Sequence, residues 1–200
     1  MKVGLTGGLA CGKTFVGEEL ERLGCLLIQA DELGHAVLEP DGEAYPGVVR
    51  EFGPSILTAD GRVDRAALAA QAFGDPRRLA RLNALVHPPV VRREAELMAR
   101  YAAGHPDGIA VVEAAILIEG GASARFDKMI VVACGEVQQV ERAMRRPGAV
   151  ESGVRARLGR QMPLDEKRKF ADFVIDTNGE KEDTLRQTRA VYQALRRFQS

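Results

Sequence analysis

The chain has 200 residues, 46% of them hydrophobic and 28% charged, which suits one large domain or a core with insertions and excludes a disordered chain. Its 28 Lys and Arg balance 28 Asp and Glu, which argues against a generic nucleic-acid or membrane-surface binder, since either needs a strong basic excess. Three widely spaced cysteines, Cys11, Cys25 and Cys134, fit neither a disulfide framework nor a zinc site and suit a reducing cytoplasm.

In chain order, Lys2–Thr6 reads as a short buried strand followed by a glycine-rich turn. Its apolar run is too short for a signal-peptide core. Phe15, Val16, Leu20 and Leu23 recur at helical spacing from Lys13 to Leu23, and Gly24 ends that helix. Cys25–Ile28 is a second buried strand, too continuously apolar for an edge that faces water. Helical patterns then cover Glu32–Leu38, Arg65–Phe73, Asp75–Leu85 and Pro88–Tyr101. Between the last two, His87-Pro88-Pro89 predicts an interruption, because a residue before proline is biased away from helix. Ile109–Ala114, Met129–Cys134 and Phe173–Ile175 complete five strands, and Glu180–Phe198 closes the chain as an amphipathic helix. Strands alternating with helices predict an α/β fold, a parallel five-stranded sheet with helices on both faces. The longest apolar stretch, Ile109–Ile118, contains Glu113 and cannot span a bilayer.

Gly7-Gly8-Leu9-Ala10-Cys11-Gly12-Lys13-Thr14 satisfies G-x-x-x-x-G-K-[ST]. Glycines let backbone N–H groups wrap a β-phosphate, and the helix beginning at Lys13 offers its positive dipole end. In such loops the lysine reaches the β- and γ-phosphates and the hydroxyl, here Thr14, ligates Mg²⁺. Ala10 and Cys11 occupy positions where the backbone acts. Cys11 is either an inert small residue or a thiol activated by the helix end and Lys13.

Asp31 follows the second strand directly. At the carboxyl end of a parallel strand it can take a proton from a substrate hydroxyl or cap the following helix. Glu113 ends the third strand, where it can hold Mg²⁺ or be a solvated strand-end charge. From Arg142 to Phe170, nine basic residues (Arg142, Arg145, Arg146, Arg155, Arg157, Arg160, Lys167, Arg168, Lys169) face only Glu151, Asp165 and Glu166. The excess reads as a mobile arginine lid over ATP, with a solvated helical face as the alternative. His87 reads as a core residue, a hinge marker or a substrate contact.

Together these residues resemble the dephospho-coenzyme A kinase family. The carriers are Gly4-Leu5-Thr6-Gly7-Gly8 into Gly12-Lys13-Thr14, Ala30-Asp31, Leu82-Asn83-Ala84-Leu85-Val86-His87-Pro88, Glu141-Arg142, Gln161-Met162-Pro163-Leu164 with Lys167, and Ala171-Asp172-Phe173-Val174-Ile175-Asp176-Thr177-Asn178-Gly179. The resemblance implies ATP-dependent phosphorylation of the ribose 3′-hydroxyl of dephospho-coenzyme A, the last step of coenzyme A synthesis, in the cytoplasm, with ATP and Mg²⁺ as cofactors. It implies a P-loop nucleoside-kinase-like core of residues 1–30, 105–140 and 171–200, a helical acceptor domain of 31–104 and a lid of 141–170. On that basis Asp31, Lys13 and Arg142 are the catalytic residues. The nucleotide meets Gly8, Ala10, Cys11, Gly12, Lys13, Thr14, Phe15, Arg146, Asn178 and Gly179; the acceptor meets Asp31 and His87; the metal meets Thr14 and Glu113. Gln29 stands where the family commonly has aspartate, Ala115 where proline is frequent, and Pro147 where an acid follows Arg146. The partner implied is a small molecule rather than nucleic acid or membrane; oligomeric state is left open. The competing readings are another P-loop small-molecule or nucleotide kinase on this core, and a non-catalytic nucleotide-binding switch. A guanine-reading Asn-Lys-x-Asp is not matched by Thr177-Asn178-Gly179-Glu180.

Overall fold

The computed structural model describes residues 1–198; the last two residues of the expected core segment 171–200 lie outside that range. The chain divides into two compact units, one formed by Met1–Ile28 with the chain from Arg100 onward, the other by Gln29–Ala99. Among the described residues no helix is long and apolar enough to cross a membrane.

The first unit is built on a five-stranded sheet of β1 (Lys2–Gly7), β2 (Leu26–Gln29), β3 (Ala110–Glu113), β4 (Lys128–Ala133) and β5 (Phe173–Asp176), in the spatial order β2-β3-β1-β4-β5. The strands β3 and β4 flank β1 in parallel, with Leu5 opposite Glu113 on one side and Gly7 opposite Val132 on the other. β5 runs parallel to β4. Val3, Leu5, Val111, Ile130, Val132 and Ile175 on one face and Val112, Met129 and Val131 on the other are buried, as expected for strands covered on both faces. From β1 the chain moves toward β2, whereas from β4 it moves toward β5 on the other side. The carboxyl ends of β1 and β4 therefore border a topological switch point, where open parallel sheets bind ligands.

Helix α1 (Lys13–Arg22) and the closing helix, numbered α9 below, pack on this sheet. Val16 and Leu20 from α1, and Val191 and Leu195 from α9 (Lys181–Arg197), enter the same core cluster as Val3 and Val111. Burying each such side chain contributes roughly 1.5–3 kcal/mol. Buried Glu19 on α1 is matched by Arg189 of α9 at 2.7 Å and by Arg22 at 2.5 Å.

The second unit contains α2 (Ala30–Ala36), α3 (Tyr45–Phe52), α4 (Arg65–Phe73) and most of α5 (Pro76–Gly104). Its core gathers Val37, Val48, Phe52, Ile56, Leu68, Ala72 and Val90. Asp64 caps α4 by accepting from the N–H groups of Ala66 and Ala67. The interruption expected at His87-Pro88-Pro89 does not occur: α5 is one helix of 29 residues with both prolines inside it. The prolines supply no N–H to the carbonyls of Ala84 and Leu85. However, Leu82, Leu85 and Val86 pack on the unit's core just before them, Pro89 is itself buried, and Val90 just after joins that core. Packing on both sides of the prolines outweighs the local preference.

The boundaries also differ from the expected 31–104. Tyr101, in the last turn of α5, stacks on His105 and donates its hydroxyl to the Gly24 carbonyl at 3.0 Å, which places that turn in the first unit. The expected lid boundary at 141 falls inside α6 (Glu136–Met144), which is followed by α7 (Glu151–Leu158) and α8 (Leu164–Arg168).

Candidate active site

The glycine-rich turn leaves β1 and closes on a single carbonyl. Gly8 O accepts from the Cys11 N–H at 3.4 Å and from Lys13 Nζ at 3.0 Å. Ala10, at φ 56°, is the only non-glycine residue with positive φ among the described residues, a strained conformation of the kind found at ligand loops. Gly12 holds φ 84° as the residue before α1, with no side-chain cap and no acid in the first turn of that helix. The positive end of α1 is thus open to an anion.

Of the two leading glycines, Gly7 is demanded by backbone packing and Gly8 is crowded by side chains. A Cβ on Gly7 would be driven into the Val132 carbonyl oxygen, and one on Gly8 would lie 2.5 Å from Oε1 of Gln139. Gly7→Ala is expected to destabilise the fold by about 1–3 kcal/mol, since the crowding atoms belong to a β-strand backbone. Thermal unfolding of the variant checks this.

At the end of β1's other neighbour, Glu113 Oε1 accepts from the Thr14 hydroxyl at 3.1 Å. Parallel register puts Glu113 beside Leu5, two residues before the loop opens. A hydroxyl and a carboxylate at this distance are oxygen donors of the kind a hard divalent cation takes.

The opposite wall is formed by the β4 and β5 ends. Asn178 Oδ1 accepts from the Gly135 N–H at 2.8 Å, and its Nδ2 meets the Asp176 carboxylate at 2.9 Å. Gln138 Nε2 donates to the Asn178 carbonyl at 2.8 Å. The Asn178-Gly179 turn is therefore held in place by its own side chain, with its surface exposed. Phe15, half-buried in the first turn of α1, carries Lys181 Nζ 5.8 Å from its ring centroid.

A family model described as CoaE, dephospho-CoA kinase, matches residues 1–183. The chain is 40% identical over 197 residues to the dephospho-CoA kinase of Thermobifida fusca (strain YX), covering 98% of this chain and 97% of that protein. It is 41% identical over 192 residues to the dephospho-CoA kinase of Geobacillus kaustophilus (strain HTA426), covering 96% and 94%. The chain belongs to the dephospho-CoA kinase family. Among solved structures, that of TT1252 from Thermus thermophilus superposes with a TM-score of 0.86 at 32% identity, covering 97% of this chain and 96% of that one.

Two expectations change in this kinase. Arg142 sits on α6 rather than on a separate lid. Its guanidinium donates to the Thr177 carbonyl at 2.7 Å and to the Thr177 hydroxyl at 3.2 Å, and that hydroxyl donates to Cys11 O at 2.9 Å. Arg142 thus braces the phosphate loop through Thr177. Lys167 has no exposed side-chain surface, so it is not a lid cation either. Of the remaining basic residues, Arg155 pairs with Glu151 and Lys169 with Glu166 on helix surfaces, while Arg145 and Arg146 are exposed beyond α6.

Of the two readings of Cys11, burial supports the small packing residue over the activated thiol. Cys11 is fully buried with its Sγ 3.2 Å from that of Cys134. The hydrogen bond between the thiols, together with burial, holds Cys11 above the ordinary thiol range and outweighs the opposing effect of Lys13.

In the second unit, Asp31 is exposed in the first turn of α2, whose preceding residue is Gln29; no side chain caps that helix. The capping alternative for Asp31 falls, because the helix begins one residue before it. His87 is exposed on α5. Sequence reasoning missed Gln139, which packs against Gly8 and donates to the Cys134 carbonyl at 3.4 Å. Its only signal was its place four residues before Ala143, on the one face of α6 that is buried.

Proposed function

We propose that the phosphate loop, Thr14 with Glu113, and Asp31 carry out the family's reaction: transfer of the γ-phosphoryl group of ATP to the 3′-hydroxyl of the ribose of dephospho-coenzyme A, giving coenzyme A and ADP. The observation that carries this reading is the Thr14–Glu113 contact at 3.1 Å beside a loop of the required composition, in a chain of this family. The loop N–H groups and the open end of α1 bind the β-phosphate, and Lys13 leaves the Gly8 carbonyl for the β- and γ-phosphates. Thr14 and Glu113 would hold Mg²⁺, which when bound neutralises charge on the phosphoryl oxygens. Asp31 accepts the proton of the acceptor hydroxyl; its support is its place two residues past the end of β2 and its exposed, uncapping carboxylate. In this reading Asn178 and Gly179 meet the base, and His87 binds the acceptor. Three free thiols support a cytoplasmic location.

The test is mass spectrometry of the purified protein with Mg-ATP and dephospho-coenzyme A. A gain of one phosphate on the acceptor is expected. Gain only on a different small-molecule acceptor would assign another kinase activity, and nucleotide binding without transfer would assign a switch.

The exposed arginines after α6, Arg145 and Arg146 above all, are the lid candidates in this reading. Hydrogen exchange should show residues 145–160 gaining protection when a non-hydrolysable ATP analogue binds. Equal protection with and without the analogue would leave a rigid, solvated arginine face.

A further inference from the structure

Lys167 is the largest side chain without exposed surface among the described residues. Its ammonium donates to the Ala115 carbonyl at 2.8 Å and reaches the Gly7 carbonyl at 3.4 Å. It pairs with Glu119 Oε1 at 2.9 Å. These three acceptors match the three N–H donors of an ammonium. Gly7 ends β1 and opens the phosphate loop, while Ala115 lies two residues beyond Glu113 at the end of β3. The Thr6 hydroxyl donates to the same Ala115 carbonyl at 3.2 Å. Glu119 Oε1 also accepts from the Met162 N–H at 3.1 Å, which ties the turn before α8 to the same point.

A buried charge is expensive, and a buried ion pair often contributes less stability than apolar residues of similar volume. Stability is therefore a poor reason to place a lysine here when a methionine could fill the space. What the ammonium supplies and a methionine does not is simultaneous donation to the two strand ends that bear the site. We propose that Lys167 is a positioning residue for phosphoryl transfer. From behind the loop it holds the Gly7 and Ala115 carbonyls, and through them fixes the loop relative to Glu113. The proposal rests on the assignment of this loop as the triphosphate site.

The experiment compares Lys167→Met alone with Lys167→Met combined with Glu119→Gln. The single variant leaves the Glu119 carboxylate without its cation and should unfold at lower temperature. The double variant removes both charges and should recover most of that loss, yet it still lacks the donor to Gly7 and Ala115. Titration with MgADP should then show a Kd raised by ~10-fold or more in the double variant, as expected for loss of charge-assisted hydrogen bonds that order the loop. The KM for ATP should rise in parallel, with the KM for dephospho-coenzyme A unchanged. Recovery of MgADP affinity together with stability would overturn the proposal and make Lys167 a packing residue only. Failure of the unaltered protein to bind MgADP would overturn the triphosphate assignment itself, and this proposal with it.

Discussion

Replacing Lys13 with alanine is expected to lower kcat by ~100-fold or more, because a cation directed at transferring phosphates can supply several kcal/mol of transition-state stabilisation in a water-poor site. The fold should survive. Lys13 lies at the first position of α1 and is only half-buried, and the hydrogen bond described for it, to the Gly8 carbonyl at 3.0 Å, lies within the loop it serves. Alanine is also the better helix former, which offsets part of the lost contact. Turnover, MgADP affinity and thermal unfolding measured on one preparation test this. A folded variant with near-native turnover would remove the loop from the mechanism. A variant that binds MgADP normally but turns over slowly would place the contribution of Lys13 at the γ-phosphate.

The parts of this site that depend on composition at fixed spacing were readable in the residues. The glycines and Lys13-Thr14 describe a loop whose backbone does the binding, and the apolar run Ala110-Val111-Val112 before Glu113 describes a buried strand delivering a carboxylate to its end. What could not be read are the features decided by packing at a distance. Counting Lys167 among nine basic residues treats it as solvated, since charge patterning carries no information on burial; three acceptors from residues 48 to 160 positions away put it inside. Arg142 presents the same problem: its partner, Thr177, lies 35 residues on. The prolines at 88 and 89 misled for the opposite reason. Their local rule is sound, but the core around Leu85 and Val90 is the stronger influence there. Cys11 shows how a near neighbour can be outweighed: Lys13 is close in sequence and favours a thiolate, whereas Cys134, 123 residues away, supplies the dominant hydrogen bond.

Asp31→Asn should reduce kcat by ~10²–10⁴-fold, the range for loss of a positioned general base, with ATP affinity nearly unchanged. The carboxylate has two possible sources of importance, and the structure of its helix separates them. A capping residue would precede α2 and accept from its first N–H groups; Asp31 instead stands inside the first turn, after Gln29 and Ala30, and no side chain caps the helix. What an acid contributes there to stability is its interaction with the positive helix end, typically 0.3–1 kcal/mol. Glu32, in the same turn, supplies that interaction as well. Asparagine keeps the size and polarity of the side chain but cannot accept a proton, so the melting temperature should move by only a few degrees while turnover collapses. The KM for ATP should hold, since the loop and Lys13 carry nucleotide binding. A retained kcat would take Asp31 out of the reaction, and a fall in stability as large as the fall in activity would make it a residue of the second unit's fold.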